Sequence, residues 1–423
     1  MARTLELVVG PVAHGGVFVA RHEGRVVFTS DALPGERVRA QVVDDRHDRY
    51  WRAETVEVLE ASADRRDHVW DAASIARDPA ERAGGAEFGH IRLARQRELK
   101  ADVLREAFER FAGLEQAPEV EAVAPGADAP TGASDDGTAW RTRVRLQVAP
   151  DGTIGPFAAR SHDVVPVDDL PLAAPAVADA APLAQRFPGA AHVDVVAPSS
   201  GGARVLVAER DRRGKPKRPP RGEVAEVVEG REFTLEQGGF WQVHANAART
   251  LYRAVQDAID AAAFDPRAAN LDLYGGVGLL AAAVGDRFGE TVRITTVEAD
   301  ERATDHAAAN LADWVGASAV TARVDRFVQG LVATASRAER DALARSTVVL
   351  DPPRSGAGRA VIEALGELRP RQLVYVACDP VALARDVGYL REAGYALEEL
   401  RAFDLFPNTH HVEAVARVGS IVA

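Results

Sequence analysis

Apolar and polar residues alternate with a period of two in LELVV, GVFVARH, RVVFTS, ERVRAQVVD and WRAETVEVLE, all within the first sixty positions. That period sends successive side chains to opposite faces of a strand. His14-Gly15-Gly16, Glu23-Gly24 and Leu33-Pro34-Gly35-Glu36 separate the runs. Five short strands with such turns predict a small OB-like closed barrel over residues 1–60. From Ile91 to Leu114 the period changes to that of a helix. Leu93, Leu99, Val103, Leu104, Ala107, Phe108 and Phe111 share one face, with Arg and Glu opposite. Residues 112–140 are rich in Ala, Pro, Gly and Asp and read as a linker or a long excursion. Strand-like runs return at WRTRVRLQVAP and ARVLVAER. Together these segments predict a small central α+β domain over 61–239, whose helix at 91–114 packs on the unit that follows.

From about Phe240 strands and helices alternate. ANLDLYGG, VRITTVEAD, SAVTARVD, STVVLDPPR and QLVYVACDP each lead into a helical stretch, and YALEELRAFDLFP and HVEAVARV close the chain. Repeated strand–helix units predict a doubly wound, mostly parallel α/β sheet of Rossmann-like type over 240–423, with an antiparallel pair at its end.

At 423 residues the chain exceeds a single core and divides into two or three domains. No stretch reaches the ~18 apolar residues of a membrane span, and Glu6 interrupts the first apolar run, which argues against a signal peptide. Cys378 is the only cysteine. An internal disulfide is therefore excluded, as is any cysteine-rich zinc or iron–sulfur site, and a cytoplasmic monomer is expected. The net charge of −12 does not suggest a nucleic-acid protein, yet local patches decide such binding. Residues 210–221 hold seven basic side chains against Asp211 alone, either a solvated hairpin tip or an RNA contact. Arg46, Arg49, Tyr50, Trp51 and Arg52 interleave charge with aromatic rings, as single-strand binders do. The alternative is a barrel whose aromatic rings only pack.

Chemistry concentrates at the strand ends of the α/β unit. In LDLYGGVGLL, Gly275, Gly276 and Gly278 allow a ligand to approach the backbone where open sheets bind cofactors. The next strand ends in Glu298, which can accept both hydroxyls of a ribose or simply charge the first turn of a helix. No GKS or GKT follows the glycines, so phosphate transfer is not expected. Asp351 and Arg354 sit in a turn stiffened by two prolines, and Cys378 ends the following strand. His410 and His411 invite a metal, but neighbours on a strand point apart, and no metal is expected.

These segments resemble the RNA uracil-C5 methyltransferase family, which uses S-adenosylmethionine. FWQVHANAA is similar to its Phe-x-Gln-Val-Asn segment and DPPRSG to its fourth motif. ACDPVALARD resembles its Ser-Cys-Asn-Pro-x-x-Leu-Ala-Arg-Asp loop, and DLFPNTHHVE its terminal Asp-x-Phe-Pro-x-Thr-x-His-Val-Glu signature. The first barrel resembles the TRAM RNA-binding module. The resemblance implies Cys378 as nucleophile and Glu413 as proton acceptor. Gln242, Tyr274, Gly276, Gly278, Glu298 and Asp351 would hold the cofactor, and Phe240, Arg354, Arg49, Trp51 and Arg52 would face RNA. It implies a ribosomal RNA substrate, with transfer RNA as the alternative.

Departures from the pattern are Ala377, Asp379 and His244, where the family has Ser, Asn and Asn. Asp379 should raise the Cys378 pKa unless it is turned away or paired with a cation such as Arg385. RAGGAEFGH carries Ala83 and Ala86 at the family's cysteine positions, so no 4Fe–4S cluster is expected. Two rival readings remain: a methyltransferase for another base or position, and an RNA-binding chaperone with a vestigial fold.

Overall fold

The computed structural model describes residues 3–116, 118–218 and 221–421; Pro219 and Pro220 of the basic segment lie outside these. Strands β1 (Thr4–Ala13), β2 (Val17–His22), β3 (Arg25–Ser30), β4 (Arg37–Asp44) and β5 (Tyr50–Glu60) close into a barrel in the order β1-β2-β3-β5-β4. Alternation along β1 buries Leu5, Leu7 and Val9 inside it, as the period of two requires. Phe88, Ile91 and Leu99 from outside the barrel complete this core.

Helix α1 (Leu93–Ala107) continues into a π-helical turn, Phe108–Ala112. The wider turn shifts the helical phase. Phe108 stays buried, but Phe111, expected on the same face, is 41% exposed. The 112–140 excursion contains β6 (Val120–Ala122) and the short α2 (Ala133–Asp136). A four-stranded sheet follows in the order β10-β9-β7-β8, from β7 (Arg143–Val148), β8 (Ile154–Gly155), β9 (Ala190–Val196) and β10 (Arg204–Glu209). The short α3 (Pro175–Ala180) lies between β8 and β9 in sequence. Ala83 and Ala86 are buried in the core under this sheet, where they serve as small packing residues.

The hairpin β11 (Glu223–Val228) and β12 (Arg231–Glu236) precedes α4 (Ala247–Ala258). Its Val224, Val228, Phe233 and Leu235 share a core with Leu251 and Val255 of α4. The hairpin thus packs on the first helix after 240, while Glu226 of β11 is bonded to Arg143 and Ser199 of the middle segment.

The large sheet takes β13 (Asn270–Leu273), β14 (Ile294–Glu298), β15 (Ala317–Thr321), β16 (Thr347–Leu350), β17 (Gln372–Ala377), β18 (Tyr395–Asp404) and β19 (Glu413–Ser420). Helices α5 (Leu279–Phe288), α6 (Glu301–Asn310), α7 (Val324–Thr334), α8 (Arg337–Leu343), α9 (Arg359–Leu368) and α10 (Pro380–Glu392) connect them. The order is β15-β14-β13-β16-β17-β19-β18-β6. The strands from β15 to β17 are parallel, and β19 inserts antiparallel between β17 and β18. Mainly apolar strands such as TVVL and QLVYVA are buried along their length, as a sheet covered on both faces demands. Beyond the expected strands, β6 adds parallel to β18 at the edge.

Candidate active site

The strand order reverses between β13 and β16, and ligands of open α/β sheets bind beyond the strand ends at such a point. The turn leaving β13 is tightly built. Tyr274 has φ 62°, Gly276 φ 55° and Gly278 φ 90°. A Cβ on Gly275 would lie 1.9 Å from Thr296 Oγ1 and 2.5 Å from Asp272 Oδ2, so only glycine fits there. Gly278 also caps the N-terminus of α5. At the end of β14, the Glu298 carboxylate accepts the amides of Gly276 (3.2 Å), Ala299 (2.6 Å) and Asp300 (2.9 Å), which fixes it beside the glycine turn.

Behind this turn Asp272 is fully buried. It accepts Thr296 Oγ1 at 2.9 Å through one oxygen, while the other has no partner among the described residues. Burial pushes its pKa up to about 7. Asp351, at the end of β16, also rises to about 7, through burial first and then the neighbouring Asp272.

Cys378 and Glu413 come together through strand register. The antiparallel pair β17/β19 ends with Ala377 opposite Ala414. Cys378 directly follows this last pair and Glu413 directly precedes it, so the register leaves both at the same end of the sheet, close enough for the Glu413 carboxyl to act on the thiol. The Cys378 thiol is pushed up to about 12, mainly by burial, then by Glu413 and Asp351, with Arg354 opposing. Glu413 is 3% exposed, and burial, with help from Asp351, raises it well above the ordinary carboxylate range. Arg354 works against that rise too and lies 3.4 Å from His411 Nε2. Thiol, two carboxyls and one guanidinium therefore share one crevice.

Two polar networks hold these loops. Asp386, fully buried on α10, accepts Tyr375 Oη (2.8 Å) and the Gly358 amide (3.1 Å), and the Tyr375 hydroxyl accepts the Ala357 amide (3.0 Å). This ties the Pro-Pro turn to the helix that follows Cys378. On the other side, Lys100 of α1 is buried and donates to Asp404 (2.6 Å) and to the Phe406 carbonyl (3.0 Å). Gln96 donates to Asn408 Oδ1 (3.0 Å) and accepts the Asn408 amide (2.7 Å). The polar face of α1 thus anchors the segment that delivers Glu413.

Some expectations are corrected. Asp379 does not pair with Arg385, which turns to Asp386 and the Ser355 carbonyl instead. Asp379 accepts the Ala382 amide as N-cap of α10 (2.8 Å) and meets His14 Nε2 of the barrel at 2.9 Å. His410 and His411 do not point apart. They precede β19 in a bend, with ring centroids 4.0 Å apart, and both line the cavity over Cys378. Among the described residues no cluster suits a metal ion. Trp51 is 8% exposed and covered by the guanidinium groups of Arg3 and Arg25 at 4.1 and 4.3 Å. It fills the barrel wall and leaves no open face for a base, whereas Arg49 and Arg52 are exposed.

Phe240 is 76% exposed and Gln242 half-buried, both in the β12–α4 connection. His244 in the same connection is buried against Trp140 (ring centroids 5.6 Å), and burial lowers its pKa to about 4. The sequence reading missed His14 as a site neighbour, having taken His14-Gly15-Gly16 only as a turn.

The cavity over Cys378, of about 140 Å³, is lined by His14, Gly16, Arg354, Asp379 and His411 among others. A ~150 Å³ cavity takes benzene, so one six-membered ring fits. Across the same sheet edge lie the glycine backbone after β13 and the carboxylates of Glu298 and Asp351 at the ends of β14 and β16. That donor set suits ribose hydroxyls and a cationic centre, the features of S-adenosylmethionine.

A glycine turn and an acidic strand end at the switch point of a Rossmann-like sheet mark the class of enzymes that bind an adenosine-bearing cofactor, to which S-adenosylmethionine-dependent methyltransferases belong. The model of the tRNA (Uracil-5-)-methyltransferase family matches residues 223–418. An uncharacterized RNA methyltransferase of Streptomyces avermitilis is 39% identical over 98% of both chains. The 23S rRNA (uracil(1939)-C(5))-methyltransferase RlmD of a Shewanella species is 29% identical, over 95% of this chain and 93% of its own. The Pyrococcus abyssi tRNA (uracil-54, C5)-methyltransferase, solved with S-adenosyl-L-homocysteine, superposes with a TM-score of 0.67 at 18% identity. It covers 98% of this chain and 100% of its own, a likeness of fold. The chain belongs to the RNA uracil-C5 methyltransferase family and is an S-adenosylmethionine-dependent enzyme. Among the described residues no helix is long and apolar enough to cross a membrane.

Proposed function

We propose that the protein forms 5-methyluridine in ribosomal RNA through a transient bond between Cys378 and C6 of the target uracil. The observation that carries this reading is that the β17/β19 register brings Cys378 and Glu413 to one end of the sheet, with Cys378 lining a cavity that takes one ring. Uracil C5 is a poor nucleophile. Cys378 gives up its proton to solvent, and addition of the resulting thiolate to C6 moves an electron pair to C5 and O4, so that C5 becomes nucleophilic. S-adenosylmethionine supplies an electrophilic methyl group when bound. Glu413 then takes the proton from C5, the C6–sulfur bond breaks, and its electrons return to sulfur. Arg354 offers positive charge to the enolate and to the thiolate.

Gly276, Gly278 and Glu298 are the residues we assign to the adenosine moiety, with Tyr274, Gln242 and Asp351 completing the cofactor site. Phe240, exposed on the surface, and Arg49 and Arg52, on the barrel, are assigned to RNA. We read the barrel as a TRAM-like RNA module and place the start of the catalytic unit ahead of Glu223. The target base must leave its stack to present both C5 and C6. Ribosomal RNA is favoured by the likeness to RlmD along nearly the whole chain.

The test is methyl transfer from labelled S-adenosylmethionine into ribosomal and transfer RNA. Cys378→Ala should abolish it while S-adenosylhomocysteine still binds. Glu413→Gln should accumulate a methylated protein–RNA adduct that survives denaturing electrophoresis. Turnover by Cys378→Ala removes the nucleophile role, and labelling of transfer RNA alone reassigns the substrate.

A further inference from the structure

Two observations place the barrel in the methyl-transfer site itself. The β1–β2 turn presses on the catalytic loops: a Cβ on Gly16, which has φ +72°, would lie 2.7 Å from His410 Cβ. In the same turn His14 Nε2 lies 2.9 Å from Asp379 Oδ2, a contact that spans 365 positions of sequence. Asp379 adjoins Cys378, and both line the cavity with His14. A carboxylate beside a thiol opposes its ionisation, so a cation or donor on Asp379 matters to the chemistry.

We propose that His14 is a positioning residue for methyl transfer. It holds and neutralises Asp379, so that the barrel turn sets the local charge beside the Cys378 sulfur. The inference rests on Cys378 as nucleophile. Its physical content is that an acidic N-cap of α10 is tolerated next to the thiol because the barrel supplies the counter-group. The direction of the shifts agrees. The Asp379 hydrogen bond raises His14 above its ordinary value, against its desolvation. Asp379 is lowered because the contact with His14 and the Ala382 amide outweigh its burial. Because both side chains retain solvent access, 50% and 22%, the pair adds little to stability. Its effect is local to the sulfur.

The test removes each partner separately and together. His14→Ala should lower kcat for methyl transfer about threefold, the effect of roughly one pK unit at the thiol after its gain in nucleophilicity, with KM for RNA little changed. In an Asp379→Asn background, whose side chain still caps α10 but carries no charge, the same His14→Ala change should cost less than about twofold. Alkylation of Cys378, the sole thiol, is followed in parallel at one pH. It should slow in His14→Ala and not in the double variant relative to Asp379→Asn. An equal loss in both backgrounds, or no loss in either, overturns the proposal. Because alkylation needs no methyl transfer, it reports the coupling even if Cys378→Ala retains turnover and the nucleophile assignment fails.

Discussion

Replacing Glu413 by Gln offers a direct probe of the charge around Cys378, read through alkylation by iodoacetamide. With the thiol at about 12, roughly one molecule in 30,000 is thiolate at pH 7.5, against about one in ten for a free cysteine. Thiolates of higher pKa are more nucleophilic, with a Brønsted slope of ~0.4–0.5. That recovers a factor of about 40, so the wild-type thiol should alkylate ~100-fold more slowly than a free one. Its rate should still be climbing at pH 9.5, without the plateau that an ordinary thiol reaches above ~8.5.

The carboxylate adds a second signature. At a charge separation of about 5 Å and an effective dielectric near 20, one charge is worth about 3 kcal/mol, or about two pK units. After the nucleophilicity correction this amounts to a gain of up to about tenfold for Glu413→Gln. Burial and Asp351 raise Glu413, so its charge can only grow as the pH climbs, and with it the effect of removing it. The two profiles should therefore separate upwards. A wild-type plateau below pH 9, or superimposed profiles at pH 9.5, refutes the reasoning.

Lys100→Met leaves Asp404 buried without its cation, a change that typically costs ~3–5 kcal/mol. Melting temperature and methyl transfer should fall together, because α1 loses its hold on the segment leading to Glu413. Gly275→Ala drives a methyl group into Thr296 and Asp272, and calorimetry should find S-adenosylhomocysteine binding weakened at least about tenfold, the mark of a ≥1.4 kcal/mol clash; unchanged affinity would move the cofactor elsewhere. Near pH 7, where Asp351 is about half protonated, a cationic ligand should expel a proton and a neutral one should not. Binding heats in buffers of different ionisation enthalpy should diverge for S-adenosylmethionine more than for S-adenosylhomocysteine, and equal heats for both would remove the carboxylates from the cofactor's surroundings.

The chemistry was legible wherever it is local in sequence. Glycines after a strand, an acid ending the next strand, Pro-Pro after Asp351 and a cysteine ending β17 each announce themselves within a few positions. Period alone foretold the barrel and the alternating strands and helices. Contacts that join distant segments leave no periodic trace, so the His14–Asp379 and Lys100–Asp404 pairs were invisible. A three-residue strand such as β6 is too short to show a period. Phe111 was misplaced because a π turn breaks the helical phase. The histidines were misread because β19 starts at Glu413, so the strand rule never applied to them.

The site rests in a proton-rich condition. Asp272, Asp351 and Glu413 are all raised, each by burial first, and the thiol is raised with them. Such a crevice holds its reactive groups neutral, which guards the single thiol from adventitious electrophiles. The same desolvation makes charge expensive until a compensating charge arrives. Arg354 is the cation that faces Cys378 and Glu413 from the protein; the other must come from the ligand, and a sulfonium is a cation. On the mechanism proposed above, a base brought in by RNA would meet a thiol whose proton leaves as negative charge moves onto the ring. The barrel turn sits over this same cavity with His14 on Asp379 and Gly16 on His410. The element assigned to RNA therefore also shapes the environment of the sulfur, and RNA engagement and thiol activation can be coupled through one two-glycine turn.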